Sequence, residues 1–410
     1  MNKRNLIRWG VLLVIILGIS GLVFGMHQID TQDKKEIATS NRKSAKKIKR
    51  DIRSDARDSS RQRTHQVTAF DRRRAGKQTP IFTGKLTTAL KDKKFSGTAL
   101  VVKNDQVVYQ RSFGMANAEK NQQNQATSQF VVNSIQKSMT GMLVMRAVQA
   151  GKISLTDKLS KYYPKIAGSN RVTLRQMLDM KAGLVGEVNP STTLSEKGVY
   201  KYSSQLAKVD KQSINKFNYQ PISFVLLAAI VNRVTGLSYY QNFYEHIVTP
   251  LDLNHTSFAQ IRSTTKGMTM GYKGNIPGDY TTPVSTSLRD MEAQVATGNA
   301  TMSAGDLFRA ERAIIQGTLL ATPSGANELH EAKVADANYA GGMYHFEKLG
   351  YYGHGLGEFY EGTFVMSKNG RTGVIFLSNN FYKKTMWPDW STEELAKTTF
   401  KHVLTAKNLK

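Results

Sequence analysis

The stretch Phe130-Val-Val-Asn-Ser-Ile-Gln-Lys137 carries a hydroxyl and an amine, on Ser134 and Lys137, at the head of a long apolar run. Residues three apart on a helix share a face, so the Lys137 amine can reach the Ser134 hydroxyl. A serine hydroxyl is a weak nucleophile at neutral pH and needs such a neighbour to take its proton. The spelling S-x-x-K is weak alone, since it also starts at Ser40, Ser44, Ser213 and Ser263. Only at Ser134 does it follow a β-rich segment and lead into an apolar helix pattern, Met139 to Val148, stopped by Gly151.

Other landmarks lie on both sides. Upstream are Phe95-Ser-Gly-Thr-Ala-Leu-Val-Val102 and Gln106-Val-Val-Tyr-Gln-Arg-Ser-Phe-Gly114, alternating runs joined at the turn-forming Asn104-Asp105. Downstream are Gly151-Lys-Ile-Ser-Leu-Thr-Asp157, Val172-Thr-Leu-Arg-Gln-Met-Leu178, Gly183-Leu184 and Phe217-Asn-Tyr219. Val234-Thr-Gly236, Thr249-Pro-Leu-Asp-Leu253, the stretch from Gly298 to Leu307, and Gly353-His-Gly-Leu-Gly357 complete the series. In this order they resemble the penicillin-recognising serine hydrolases: class C β-lactamases, DD-peptidases and related teichoic-acid D-alanyl esterases. The resemblance covers roughly residues 80 to 405, and an ordered series is far more specific than one motif.

The resemblance implies an α+β, β-lactamase/transpeptidase-like fold, an antiparallel sheet flanked by helices with an inserted helical subdomain. The residue patterns agree. Residues 82–114 read as one short helix and two strands, and residues 134–260 as mainly helical. Pro221 to Val234 is a helix with proline in its first turn and Gly236 beyond its end. Asp306 to Leu319 is another. Strands return over Gly341 to Glu347, Glu358 to Lys368 and Gly370 to Leu377, with Lys368-Asn-Gly370 as a turn, before a closing helix over Trp390 to Leu404.

By the same resemblance Ser134 is the nucleophile and Lys137 the general base or proton relay, a role that burial favours by lowering a lysine's pKa. Tyr219 matches the tyrosine of the family's Y-x-N motif and shares the proton traffic. The chain departs there, reading Tyr219-Gln220-Pro221, so the asparagine that holds a peptide or penicillin side chain is a proline. His354 stands at the third motif, K-T-G or H-x-G, but Leu356 replaces the family's glycine in His354-Gly355-Leu356-Gly357. The resemblance gives the oxyanion hole to the amides of Ser134 and Gly357, and substrate contacts to Gln220, Gly355 and Leu356. The plainer readings are a helix cap for Ser134, a surface lysine for Lys137, a core tyrosine for Tyr219 and a structural histidine for His354. The histidines form no metal-ligand spacing, no cofactor is implied, and there is no glycine-rich phosphate loop.

The N-terminal region is of another kind. Residues 10–26 are uncharged and apolar behind Lys3, Arg4 and Arg8, and a membrane span needs about 17 to 25 such residues. The expected organisation is a cytoplasmic tail (1–8), an uncleaved transmembrane anchor (9–26), a basic disordered stalk (27–80) and an extracellular hydrolase domain (81–410). A cleaved signal peptide is the rival reading of the apolar run. The chain of 410 residues carries a net charge of +26, and residues 81–410 retain +14 of it. A basic exported domain gathers near polyanions. In a Gram-positive type envelope these are lipid head groups and teichoic-acid phosphates; the exported placement argues against nucleic acid. With no cysteine, disulfides and cysteine nucleophiles are excluded.

The sequence therefore points to a membrane-anchored, outward-facing serine hydrolase working through an acyl-enzyme. D-Alanyl esters of (lipo)teichoic acid are the first expectation, because both departures fall on substrate-facing motifs while Ser134, Lys137 and Tyr219 remain. The alternatives are a DD-carboxypeptidase acting on peptidoglycan stem peptides and a non-catalytic envelope-binding relative.

Overall fold

The computed structural model describes residues 80–406 apart from 265–266, 275, 277, 285, 332–337, 358 and 382–390. It also describes residues 45–55 and three isolated positions before them. The expected tail and anchor, residues 1–26, lie outside the described residues. The chain divides into two compact units between Ile48 and Lys49, and the larger spans Lys49–Lys410. Residues 49–55, inside the segment expected to be a disordered stalk, are helical. Ile52 there is fully buried, and Asp55 accepts a hydrogen bond from Ser238 Oγ at 2.7 Å. An apolar residue and a paired carboxylate thus order a short piece of an otherwise basic run. Among the described residues no single helix is long and apolar enough to cross a membrane.

Helix α1 (Pro80–Asp92) leads into strands β1 (Gly97–Lys103) and β2 (Gln106–Phe113). Their turn is Asn104-Asp105, both with positive φ (48° and 66°), the left-handed conformation that these residue types tolerate in a tight hairpin. Helices α2 (Gln136–Gln149), α3 (Ile222–Thr235) and α4 (Ala304–Gln316) belong to the insertion. The chain then returns as β3 (Tyr339–Ala340), β4 (Met343–Phe346), β5 (Gly350–Gly357), β6 (Tyr360–Ser367) and β7 (Gly373–Ser378), and ends with α5 (Thr392–Thr405).

The seven strands form one sheet in the order β3-β4-β5-β6-β7-β1-β2. Every neighbouring pair is antiparallel. The β1–β7 pairing, Gly97 opposite Ser378 through Val102 opposite Gly373, joins the two ends of the domain as the strand pattern anticipated. Strand β7 is buried along its whole length, covered on both faces, which explains the unbroken apolar reading of Gly373-Val-Ile-Phe-Leu-Ser378. Leu86 and Leu90 of α1 and Ala396, Phe400 and Val403 of α5 share a core with Val101, Val365, Val374 and Phe376. Helix α4 packs on β1 and β7, and α2 lies between α3 and α4.

The insertion is less purely helical than expected. Ala182–Val185 pairs with Lys208–Ile214, and Phe130–Val131, Ala300–Met302 and Thr256–Phe258 form a small three-stranded sheet. Lys208-Val-Asp-Lys-Gln-Ser-Ile214 escapes a pattern reading because only Val209 is buried, Ser213 and Ile214 are half-buried, and the other four residues are exposed.

Candidate active site

Ser134 sits in a 3-10 turn, Asn133–Ile135, between the short strand Phe130–Val131 and α2. Asn133 enters that turn with φ +49°. Its side-chain Nδ2 donates to the carbonyl of Gly357 at 3.2 Å and of Tyr360 at 3.3 Å. Asn133 therefore ties the turn holding Ser134 to the β5–β6 hairpin. The two segments run so close that a Cβ on Gly355 would lie 2.2 Å from the carbonyl oxygen of Val132 and 3.1 Å from the Ser134 nitrogen. Only glycine permits this approach. Gly355 is thus a packing position against the serine turn, while Leu356 lines the cavity described below. Gly357 lies opposite Tyr360, beside the Asn133 amide.

Lys137 is one helical turn on and only 1% exposed. Its Nζ lies 2.9 Å from Ser134 Oγ and 3.3 Å from the carbonyl of Thr297. The same nitrogen stands 5.1 Å from the centre of the Tyr219 ring. Tyr219 comes from the loop before α3, where the Asn218 amide donates to the Met180 carbonyl at 2.8 Å. Its ring meets Tyr339 edge to face, centroids 5.9 Å apart. Pro221 precedes the first residue of α3, the start-of-helix role its ring suits. Gln220 turns toward its own loop, Nε2 donating to Asn218 Oδ1 at 3.4 Å, and does not line the cavity.

His354 projects from β5. Nε2 is 2.9 Å from Glu361 Oε1 and Nδ1 is 3.2 Å from Glu393 Oε2. Glu361 is buried and also accepts from Ser391 Oγ at 3.0 Å and the Thr392 amide at 2.9 Å. A carboxylate thereby caps the first turn of α5, where the helix dipole favours negative charge, and holds the imidazole from behind. Glu393, on that first turn, pairs with Lys397 Nζ at 2.5 Å. Burial alone would lower the Lys397 pKa, but the hydrogen bond and charge of Glu393 outweigh it and hold the ammonium above its ordinary value. Lys397 Nζ also lies 4.0 Å from the centre of the Tyr352 ring.

Ser134, Tyr219, Tyr344, Tyr352, His354, Leu356 and Glu393 enclose one cavity of about 360 Å³. Tyr344 and Tyr352 stack with centroids 4.9 Å apart. Burial first, and nearby ionisable groups second, push the Tyr344 phenol up; burial does the same for Tyr352. Both therefore stay neutral. The structure brings Ser134, Lys137, Tyr219 and His354 to one place, as their motif positions led us to expect. Asn133, Tyr344, Tyr352, Glu361 and Glu393 were not singled out from sequence. Asn133 has a local signal, an asparagine directly before the serine; Glu361 and Glu393 have none, because helix α5 and strand β6 meet His354 only in the folded chain. The chain also spells Y-x-N at Tyr240-Gln-Asn242, but that tyrosine is not part of the cavity lining, and its buried hydroxyl donates to Glu292 at 3.0 Å. Among the described residues no group of three or more His, Asp or Glu is placed to hold a metal ion.

The arrangement can support nucleophilic acyl transfer: a hydroxyl, a buried amine at hydrogen-bond distance and a phenol beside that amine, all opening on one cavity. Comparison with known proteins agrees. The beta-lactamase family model matches residues 82–396, so the chain belongs to that family, and it is a serine hydrolase. It is 25% identical over 380 residues to a Bacillus subtilis (strain 168) protein designated penicillin-binding protein PbpX, covering 92% of this chain and 90% of that one. It is 27% identical over 208 residues to a teichoic acid D-alanine hydrolase of Staphylococcus aureus (strain MRSA252), covering 47% of this chain and 49% of that one. The match thus spans about half of the hydrolase. The crystal structure of FmtA from Staphylococcus aureus superposes with a TM-score of 0.68 at 22% identity, over 82% of this chain and 92% of that one. The D-amino acid amidase of Ochrobactrum anthropi SV3 gives a TM-score of 0.65 at 14% identity, over 79% and 97%. These two likenesses establish the fold.

Proposed function

We propose that this protein is a cell-envelope serine esterase that removes D-alanyl groups from (lipo)teichoic acid. Ser134 Oγ attacks the ester carbonyl and its proton passes to Lys137 in the unprotonated form, with Tyr219 as the second member of the relay. Negative charge on the carbonyl oxygen is held by the amides of Ser134 and Gly357. The polymer hydroxyl leaves with the relayed proton, and water then releases D-alanine from Ser134. The domain faces outward on a membrane anchor over residues 9–26, and its basic surface holds the polyanionic polymer.

The observation that carries this reading over peptide cleavage is the environment of His354. A D-Ala-D-Ala peptide ends in a carboxylate, which the family's third motif meets with a cation or a free donor. Here both ring nitrogens of His354 are engaged by carboxylates, Glu361 and Glu393. A peptide carboxylate would find neither ring nitrogen of His354 free to donate to it. Pro221 adds to the argument, since a proline in place of the motif's asparagine cannot donate to an acyl-amide side chain.

Incubating the purified protein with D-alanylated lipoteichoic acid and, separately, with a stem pentapeptide tests the proposal. D-Alanine should appear from the polymer and not from the peptide at comparable rates. Release from the pentapeptide alone would replace this assignment by a DD-carboxypeptidase.

A further inference from the structure

We infer that Glu393 binds the free ammonium group of the acyl moiety, so that the cavity selects amino-acyl esters over esters whose amine is blocked. The inference rests on the esterase reading of this cavity and names the residue that recognises its substrate. Among the described residues lining the cavity, Glu393 carries the one carboxylate, and it shares that cavity with Ser134. Glu393 Oε1 accepts from Lys397 Nζ, and Oε2 lies 3.2 Å from His354 Nδ1 in an ion-pair contact. A carboxylate has about four acceptor positions, so lone pairs remain on both oxygens. Its two partners fix the carboxylate in place, and a preset acceptor loses little freedom on binding a cation.

The rest of the wall suits the same ligand. Tyr219, Tyr344 and Tyr352 supply aromatic surface, which attracts cations through its negative face. An α-ammonium is attached to the carbon next to the reacting carbonyl. Ser134 and Glu393 line the same pocket, and we place the carbonyl at the first and the ammonium at the second. A carboxylate-bearing or N-acylated group has no such partner.

The test uses the full-length chain with two small esters, D-alanine methyl ester and N-acetyl-D-alanine methyl ester, comparing kcat/KM. The wild type should prefer the free amine. Glu393→Gln should reduce that preference by about 10- to 100-fold, the size expected for losing a charge-assisted hydrogen bond. Glu393→Asp should keep part of it. A purely structural role for Glu393, through His354 and Lys397, would lower both esters together and leave their ratio alone. An unchanged ratio in Glu393→Gln, or no preference in the wild type, overturns the inference. Free-amine preference without release of D-alanine from teichoic acid would overturn the polymer assignment and leave this one standing. Absence of D-alanyl ester hydrolysis by the wild type would overturn both.

Discussion

Glu311 lies on α4 with no exposure to solvent, directly beneath the helix that carries Lys137. Its Oε1 accepts from Ser138 Oγ at 2.7 Å, and Oε2 has no hydrogen-bond partner among the described residues. Burial pushes its carboxyl up to about 8 from the ordinary 4.5, against a smaller opposing effect of the Ser138 hydrogen bond. The unfolded chain releases this proton near the ordinary value, whereas the folded chain keeps it until far higher pH. The contribution to stability is thus fully present below about pH 4.5 and is lost as pH rises toward about 8. The slope is about 1.4 kcal/mol per pH unit, so roughly 5 kcal/mol disappears across the full window, about 4 kcal/mol of it by pH 8, where the folded group is half titrated. That is a large part of the 5–15 kcal/mol, in order of magnitude, that holds a domain folded. Glutamine keeps an acceptor oxygen for Ser138 and never ionises. Glu311→Gln should therefore match the wild type within about 1 kcal/mol near pH 5 and exceed it by about 4 kcal/mol near pH 8. Glu196 and Glu292, which burial pushes up to about 7, are present in both proteins and drop out of the difference. Urea unfolding followed by far-ultraviolet circular dichroism at several pH values measures it. A difference that does not change with pH would refute the argument.

Three other outcomes are expected. Ser134→Ala should abolish ester turnover while changing stability by only about 1–2 kcal/mol, since one hydrogen bond to Lys137 is lost; a variant with full activity would remove Ser134 from the mechanism. Gly342→Ala should lower stability by about 3 kcal/mol or more and reduce kcat, because a Cβ there would lie 2.4 Å from the Lys137 carbonyl oxygen at a φ of +98°; thermal melting and steady-state kinetics that match the wild type would contradict the packing. The apparent KM for a teichoic-acid polymer should rise with salt while that for a short neutral ester stays level, as exposed charges are screened beyond about 8 Å at physiological ionic strength; a flat polymer KM would make the +14 of residues 81–410 a solubilising surface only.

What the sequence alone determined was local or periodic. The Asn104-Asp105 hairpin, the helix following Pro221 and the apolar strand at Gly373–Ser378 are each written in one short continuous stretch, and their order along the chain was enough to recognise the sheet closed by both ends. Ser134 and Lys137 were legible because three residues on a helix span one turn, and Tyr219 through the resemblance to the family's Y-x-N motif, helped by the apolar helix that follows it. The stretch Lys208–Ile214 was not legible as a strand, since its partner Ala182–Val185, and not an alternating pattern, makes it one. Only the tertiary structure decided the surroundings of His354. Glu361 reaches it across the β5–β6 hairpin and Glu393 from a helix 39 residues further on, and neither glutamate differs in sequence from any other solvated acid. Glu311 is the same case: its place beneath Ser138 comes from α4 packing on α2, which brings together groups 173 residues apart. Chemistry held by one turn of backbone can be read along the chain, but the charge around a site is a sum over elements that meet only when the sheet and helices close upon one another.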